Sequence, residues 1–349
     1  MTEEIRVLIV DDSNITRDIL KKLLENDSAI RVVGMAENGK KAIELTRTLK
    51  PGVIIMDINM PVMNGFEATE QIMAYYPTPI LILSSVIDKE GIYTTFNALA
   101  AGAIDVMEKP SLLPNASWNG ISDMLVRKLK FISRVKVVTH IKGKVKELYR
   151  RPAPVSPIKP NAHEIIGIGA STGGPSVVMN ILKSIPQDYE QGVIVVQHMA
   201  EGFISGFAEW LRSACKVKVK LARDGEKIEK GQVLVAPDGF HAVVRHKKTV
   251  GLIPGNPVNG VKPSIDILFD SIADVYGENA VGVLLTGMGA DGAEGLKRIK
   301  DKGGVTIAQS ENTCAVFGMP RVAIEKGAAS KVLSVDEIIH TLNTLHNAE

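Results

Sequence analysis

Cysteine is nearly absent from this 349-residue chain: Cys215 and Cys314 are the only two, far apart and outside any C-x-x-C spacing. That argues against a disulfide framework or a structural zinc site and fits a reducing cytoplasm. Long apolar runs are missing as well. None approaches the roughly 18 residues that a membrane span requires, and the four-residue run after Arg6 is too short for the apolar part of a signal peptide. The chain is therefore expected to be soluble and cytoplasmic, with no segment inserted in a membrane. Nor is charge of one sign in excess, since 41 Lys and Arg against 39 Asp and Glu leave a net +2. A nucleic-acid-like surplus of positive charge is excluded for the molecule as a whole. No internal repeat or low-complexity segment is evident.

What is present is alternation. A chain of 349 residues has room for two domains, each able to bury its own core. Short apolar runs at 7–10, 32–35, 53–56, 80–83 and 104–107 read as strands, and Ile15, Ile19, Leu20, Leu23 and Leu24 line one helical face between the first two. Repeated β/α alternation implies a parallel sheet covered by helices on both sides, with a flavodoxin-like fold and ligands at the carboxyl ends of its strands.

Residues 127–160 differ in character, with eleven Lys and Arg against one acid, Glu147. The segment opens as a helix and closes with Pro152, Pro154, Pro157 and Pro160, which prevent regular structure. It reads as a basic interdomain linker, giving expected divisions of 1–126, 127–161 and 162–349. A second α/β series follows, with strands at 165–170, 193–197, 217–221, 233–236, 280–285 and 305–308 and helices at 174–184, 203–214, 264–276 and 291–302. Residues 242–245 and 250–253 look instead like a hairpin added to the sheet.

Asp11 and Asp12 follow the first strand and Asp57 the third, so parallel strands bring three carboxylates to one sheet edge. Crowded carboxylates repel unless a cation sits among them, and Mg²⁺ suits carboxylate, water and phosphate oxygens. Ser84 after the fourth strand and Lys109 after the fifth add a hydroxyl and a cation. One such Asp alone would read as a helix N-cap or a surface charge, but five of these residues at successive strand ends argue for a site. Together they resemble the response-regulator receiver family over residues 5 to about 125. The resemblance implies Asp57 as phosphoacceptor for a histidine kinase, Asp11, Asp12 and Asp57 holding Mg²⁺, and Ser84 and Lys109 sensing the phosphate. Receivers often carry Thr where Ser84 stands; Ser retains the hydroxyl.

The run Gly167-Ile168-Gly169-Ala170-Ser171-Thr172-Gly173-Gly174 ends a strand and opens a helix. As a dinucleotide fingerprint it fails at Thr172, where the third glycine belongs, and again at Gln197-His198, where a ribose needs an acid. As G-x-S-x-G it fits, Gly169 and Gly173 permitting a sharp turn that exposes the Ser171 hydroxyl. A serine needs a positioned base. His198, leaving the adjacent strand, is the natural candidate, and His241 after Pro237-Asp238-Gly239 competes with it. The third group should be a buried carboxylate that orients the imidazole, and Asp291 stands at a third strand end. The order Ser, His, Asp counts against the α/β-hydrolase superfamily. Blander readings remain: Ser171 as a helix cap, His198 as a structural residue, and the 287–292 loop as a mere turn.

Gly-Ala-Ser-Thr-Gly-Gly at 169–174, Val-Val-Gln-His-Met at 195–199 and Leu-Thr-Gly-Met-Gly-Ala-Asp-Gly at 285–292 closely resemble the chemotaxis protein-glutamate methylesterases, the CheB family, over roughly residues 163–347. The expected fold class is then α/β, two doubly wound parallel-sheet domains: a flavodoxin-like receiver followed by a Rossmann-like methylesterase domain with an added antiparallel hairpin. The resemblance implies Ser171 as nucleophile, His198 as base, Asp291 as its orienting acid and the Met288 backbone N–H as an oxyanion donor, with no cofactor for the ester chemistry. It implies hydrolysis of glutamate γ-methyl esters on cytoplasmic helices of chemoreceptors, and deamidation of selected glutamines. The layout predicts that the unphosphorylated receiver covers the Ser171 edge and that phosphorylation opens it. The segment 316–321 is family-like without an assigned chemical role. Two other classes stay open. One is a regulator whose output half binds nucleic acid or protein, supported by the basic linker but by no helix-turn-helix pattern. The other is a hydrolase of small soluble esters indifferent to Asp57.

Overall fold

The computed structural model describes residues 4–84, 89–109, 118–137 and 163–346. The chain divides into two compact units, Met1–Leu148 and Tyr149–Glu349.

In the first unit, β1 (Ile5–Val10), β2 (Ile30–Ala36), β3 (Val53–Asp57), β4 (Ile80–Ser84) and β5 (Asp105–Glu108) form a sheet of order β2-β1-β3-β4-β5. Every pairing is parallel. This is the flavodoxin-like order, whose reversal point lies between β1 and β3. Helices α1 (Asn14–Glu25), α2 (Gly39–Leu49), α3 (Gly65–Tyr75), α4 (Lys89–Ala100) and α5 (Trp118–Ile132) complete the unit. Strands β3 and β4 are buried along their whole length, as parallel strands covered on both faces must be. Local chemistry sets the helix starts. Ser13 caps α1, and Asn64 with Glu67 forms a capping box on α3.

Helix α5 extends six residues into the run expected to be linker, because Leu125, Leu129 and Ile132 repeat at helical spacing and are fully buried in the core of this unit. The remainder of that run, from residue 138, lies outside the described residues.

In the second unit, β6 (Ile165–Ala170), β7 (Gly192–Gln197), β8 (Lys218–Leu221), β9 (Gln232–Val235), β12 (Ala280–Leu284), β13 (Val305–Gln309) and β14 (Lys331–Leu333) form a parallel sheet of order β14-β13-β12-β6-β7-β9-β8. The chain leaves β6 toward β7 on one side and later returns to β12 on the other. The order therefore reverses between β6 and β12, where sheets of this kind open a crevice for ligands. Between β9 and β12 the chain makes β10 (His241–Arg245) and β11 (Thr249–Ile253), an antiparallel pair that forms its own two-stranded sheet beside the large one.

Among the described residues, six helices cover the large sheet: α6 (Gly174–Ser184), α7 (Ile204–Ala214), α8 (Ile265–Tyr276), α9 (Ala293–Asp301), α10 (Met319–Glu325) and α11 (Val335–His346). Of these, α8 matters most for the site. It buries Ile265, Leu268, Phe269 and Ile272 completely, each side chain contributing about 1.5–3 kcal/mol of transfer free energy. It lies close on β6 because β6 carries glycine beneath it. A Cβ at Gly169 would come within 2.3 Å of Ile265 Cγ2, and one at Gly167 within 2.7 Å of Ile272 Cδ1.

Candidate active site

At the carboxyl edge of the first sheet, Asp11, Asp57 and Ser84 are buried, Asp12 is exposed and Lys109 is partly buried. Lys109 Nζ lies 2.7 Å from Asp11 Oδ2 and 3.0 Å from Asp57 Oδ2. Burial works against the Lys109 cation, but its bonds and charge contacts with the two carboxylates outweigh this and raise its pKa. Burial pushes the Asp57 carboxyl up; Lys109 opposes that shift and Asp11 adds to it. Ligand atoms of Asp11, Asp12 and Asp57 all lie within 4.8 Å of one another. Three carboxylates so close form an oxygen donor set that fits a hard divalent cation. Ser84 Oγ accepts a bond from Thr95 Oγ1 at 3.0 Å, and the Ser84 carbonyl accepts Lys109 N–H at 2.9 Å.

In the second unit, Ser171 directly follows β6, His198 directly follows β7, and Asp291 sits on the loop after β12. All three lie at the same edge, around the crevice where strand order reverses. Ser171 is half-buried. It does not cap α6, whose N-cap is Gly173 with no side-chain cap. Gly173 adopts φ +76, and a Cβ there would come within 2.4 Å of Ala315 Cβ. That glycine shapes the turn, whereas Gly169 lies within β6 and makes room for α8.

His198 Nε2 lies 3.0 Å from Asp291 Oδ2. With Nε2 on the carboxylate, Nδ1 is the nitrogen left for a substrate or nucleophile. Among the described residues, the Ser171 hydroxyl makes no hydrogen bond to the ring. In sites without substrate such contacts are often long and tighten on binding.

Asp291 is 3% exposed and lies at the N-terminus of α8. Its Oδ1 accepts from Ser264 Oγ at 2.7 Å and Asn259 Nδ2 at 3.2 Å, and its Oδ2 accepts from Ile265 N at 2.6 Å. Burial raises its pKa, but the bond and charge of His198, the Ile265 N–H and the Ser264 hydroxyl more than offset this and bring it down to about 2. The positive end of the α8 dipole acts in the same direction.

His241 is excluded as the competing base. It is buried, its Nδ1 accepts the Ser264 N–H at 3.1 Å, and its Nε2 lies 3.0 Å from the Asn256 carbonyl, to which it must donate. With both ring nitrogens committed to backbone, it holds the start of α8 instead.

The Met288 N–H has no acceptor among the described residues. Its peptide is beside Ser171, because a Cβ on Gly287 would come within 2.6 Å of Ser171 Cβ.

Family models match both units: a response regulator receiver domain over residues 7–115 and a CheB methylesterase over residues 166–342. A protein-glutamate methylesterase/protein-glutamine glutaminase of Syntrophus aciditrophicus is 44% identical, with 97% of each chain covered. One from Methanococcus maripaludis is 41% identical, with 96% of each covered. The crystal structure of the Thermotoga maritima CheB methylesterase catalytic domain is 38% identical and superposes with a TM-score of 0.50, covering 52% of this chain and 98% of that one. The chain belongs to the CheB methylesterase family.

In this CheB-family chain the segment 316–321 acquires a structural role. Gly287 N donates to Val316 O at 3.0 Å, and Gly318 N and Met319 N donate to Gly287 O at 3.1 and 2.9 Å. The segment therefore holds the loop that carries Met288. Thr286 is fixed from the same side, its N–H on Gln309 Oε1 at 2.8 Å and its Oγ1 accepting Val316 N at 2.9 Å. Ser264, Asn259, Asp266 and Gln309 are site residues that sequence reasoning missed. Asn259-Gly260, a dipeptide typical of tight hairpin turns, was the one available signal: both have positive φ, and Val258 bridges to Val261. Among the described residues no helix is long and apolar enough to cross a membrane.

Proposed function

We propose that the chain is a phosphorylation-activated serine esterase that hydrolyses glutamate γ-methyl esters on the cytoplasmic helices of chemoreceptors, and that it deamidates selected receptor glutamines. The supporting observation is the 3.0 Å pairing of His198 with the buried Asp291 carboxylate at the sheet edge that carries Ser171. Asp291 holds Nε2 as the protonated nitrogen, and Nδ1 becomes the base. Ser171 Oγ bonds to the ester carbonyl carbon as its proton moves to His198, and the Met288 N–H receives the negative oxygen. Collapse breaks the bond to methoxide, which takes the proton from His198 and leaves as methanol. Water, deprotonated by the same ring, then cleaves the acyl-serine, releasing the glutamate carboxylate and restoring Ser171. A carboxamide follows the same course and releases ammonia.

In the receiver, Asp57 is the phosphoacceptor, with a chemotaxis histidine kinase as donor. Asp11, Asp12 and Asp57 hold Mg²⁺, which when bound offsets the charge of carboxylate and phosphoryl oxygens. Lys109 and Ser84 bind the phosphoryl oxygens, and phosphorylation raises esterase turnover. Mass spectrometry of methylated receptor incubated with the chain tests the chemistry: methyl groups should leave glutamyl esters, and chosen glutamines should become glutamates. Unchanged receptor, or equal conversion by Ser171→Ala, overturns the reading.

A further inference from the structure

We infer that Gln197 is a positioning residue of this reaction, its side-chain amide fixing the separation of the nucleophile Ser171 from the base His198; the inference rests on the esterase reading. The β6–β7 ladder pairs Ala170 with Gln197, and its last backbone bond runs from His198 N to Ala170 O at 2.9 Å. Beyond that rung, among the described residues, no backbone bond joins the two strand ends. The peptides of nucleophile and base thus lie just where the sheet stops setting their spacing.

Gln197 takes over at that point. Its Nε2 donates to the Ser171 carbonyl at 2.8 Å and to the His198 carbonyl at 3.0 Å, so one planar amide group spans both residues. The residue is 1% exposed, and water does not compete for these bonds. The N–H of Ser171 is tied separately to Thr286 O at 3.0 Å, which leaves Gln197 as the link toward His198.

Two observations bear on the choice of this side chain. Gln197 Oε1 is buried and has no hydrogen-bond partner among the described residues, a cost that an apolar side chain of the same length would avoid. Gly174, at the start of α6, leaves room for it: a Cβ there would come within 2.4 Å of Oε1.

The test uses the full-length chain with Gln197→Met, which keeps the length and removes both donors, and Gln197→Glu, which puts oxygen where the amide nitrogen stands. Three quantities are read: kcat and KM for methanol release, the rate at which a small fluorophosphonate labels Ser171, and the melting temperature. Both variants should lose about 10- to 100-fold in kcat and in labelling rate together, with KM within about twofold. Adding Asp291→Asn to Gln197→Met should cost far less than the product of the single losses, since both disturb one unit. A kcat per folded molecule within about twofold of the parent overturns the inference, and so does a raised KM at unchanged kcat, which would make Gln197 a substrate contact. Labelling separates this failure from failure of the esterase reading. A parent that releases no methanol yet labels at Ser171, with labelling lost in Gln197→Met, sinks the methyl-ester reading and supports the positioning role.

Discussion

Asp266 and Asp291 share one donor: the Asn259 side-chain amide lies 2.9 Å from Asp266 Oδ2 and 3.2 Å from Asp291 Oδ1. Burial raises the pKa of both carboxyls. In Asp291 it is outweighed by His198 and the α8 donors, and the value falls to about 2. In Asp266 the Gly295 N–H lowers it too little, the neighbouring Asp291 adds to the rise, and the value reaches about 6. Their linkage to stability has opposite signs. The Asp266 contribution is complete below about pH 4 and is lost as pH rises through about 6, whereas that of Asp291 is present above about pH 4 and is lost as pH falls through about 2. Asp266→Asn should therefore gain on the parent as pH rises from about 4 to about 7. Asp291→Asn should be less stable near neutrality by about 2 kcal/mol, a gap that closes in acid. Melting curves across this range check both, and parallel pH profiles for the two variants would contradict the assignment.

Ser264 has two tasks, accepting Ile267 N–H at 3.4 Å as the α8 cap and donating to Asp291 Oδ1 at 2.7 Å. Ser264→Ala should cost about 1 kcal/mol of stability and roughly tenfold in kcat at unchanged KM. Ser264→Thr keeps the hydroxyl and should recover most of both. Steady-state kinetics alongside melting curves decides the point.

A methyl group at position 169 would lie 2.3 Å from Ile265 Cγ2, and Ile265 N–H is a donor to Asp291. Gly169→Ala should lose about 1–3 kcal/mol and most of the turnover. Ile265→Ala, by removing Cγ1, Cγ2 and Cδ1, should return part of the stability to Gly169→Ala while lowering that of the parent. The melting temperatures of the double-mutant set measure this coupling.

Mg²⁺ should bind the full-length chain through Asp11, Asp12 and Asp57 and raise the melting temperature of the receiver by mass action. At a hundred times Kd the gain is about 2.7 kcal/mol. Asp11→Asn or Asp57→Asn should abolish both the calorimetric heat and the gain, and a chelator should reverse them in the parent.

Which residues meet at each sheet edge is legible in the sequence, because parallel strands deliver Asp11, Asp57, Ser171 and His198 to their carboxyl ends. The packing around them is not. Ser264, Asn259 and Asp266 reach Asp291 across 25 to 32 positions of chain, a contact that no local periodicity announces. The role of Gly169 likewise depends on which helix crosses β6. Residues 127–132 form the helical opening expected of the basic run, but its charge does not announce that Leu129 and Ile132, in step with Leu125, bury one face of that helix in the core of the first unit. Strand β14, at three residues, is too short to register as a pattern. The hairpin was legible as a hairpin. Its separation from the large sheet rests on contacts such as Val244 N to Ser271 Oγ at 2.8 Å, which belong to the tertiary fold.

Phosphorylation of Asp57 is proposed to control the chemistry performed at Ser171. Methanol release from membranes bearing methylated chemoreceptors, measured with and without a phosphodonor for the parent, Ser171→Ala and Asp57→Asn, tests it most directly. The parent should accelerate with phosphodonor, Asp57→Asn should keep a basal rate that does not respond, and Ser171→Ala should release none. Methanol release by Ser171→Ala at the parent rate, or an undiminished response in Asp57→Asn, would contradict the account.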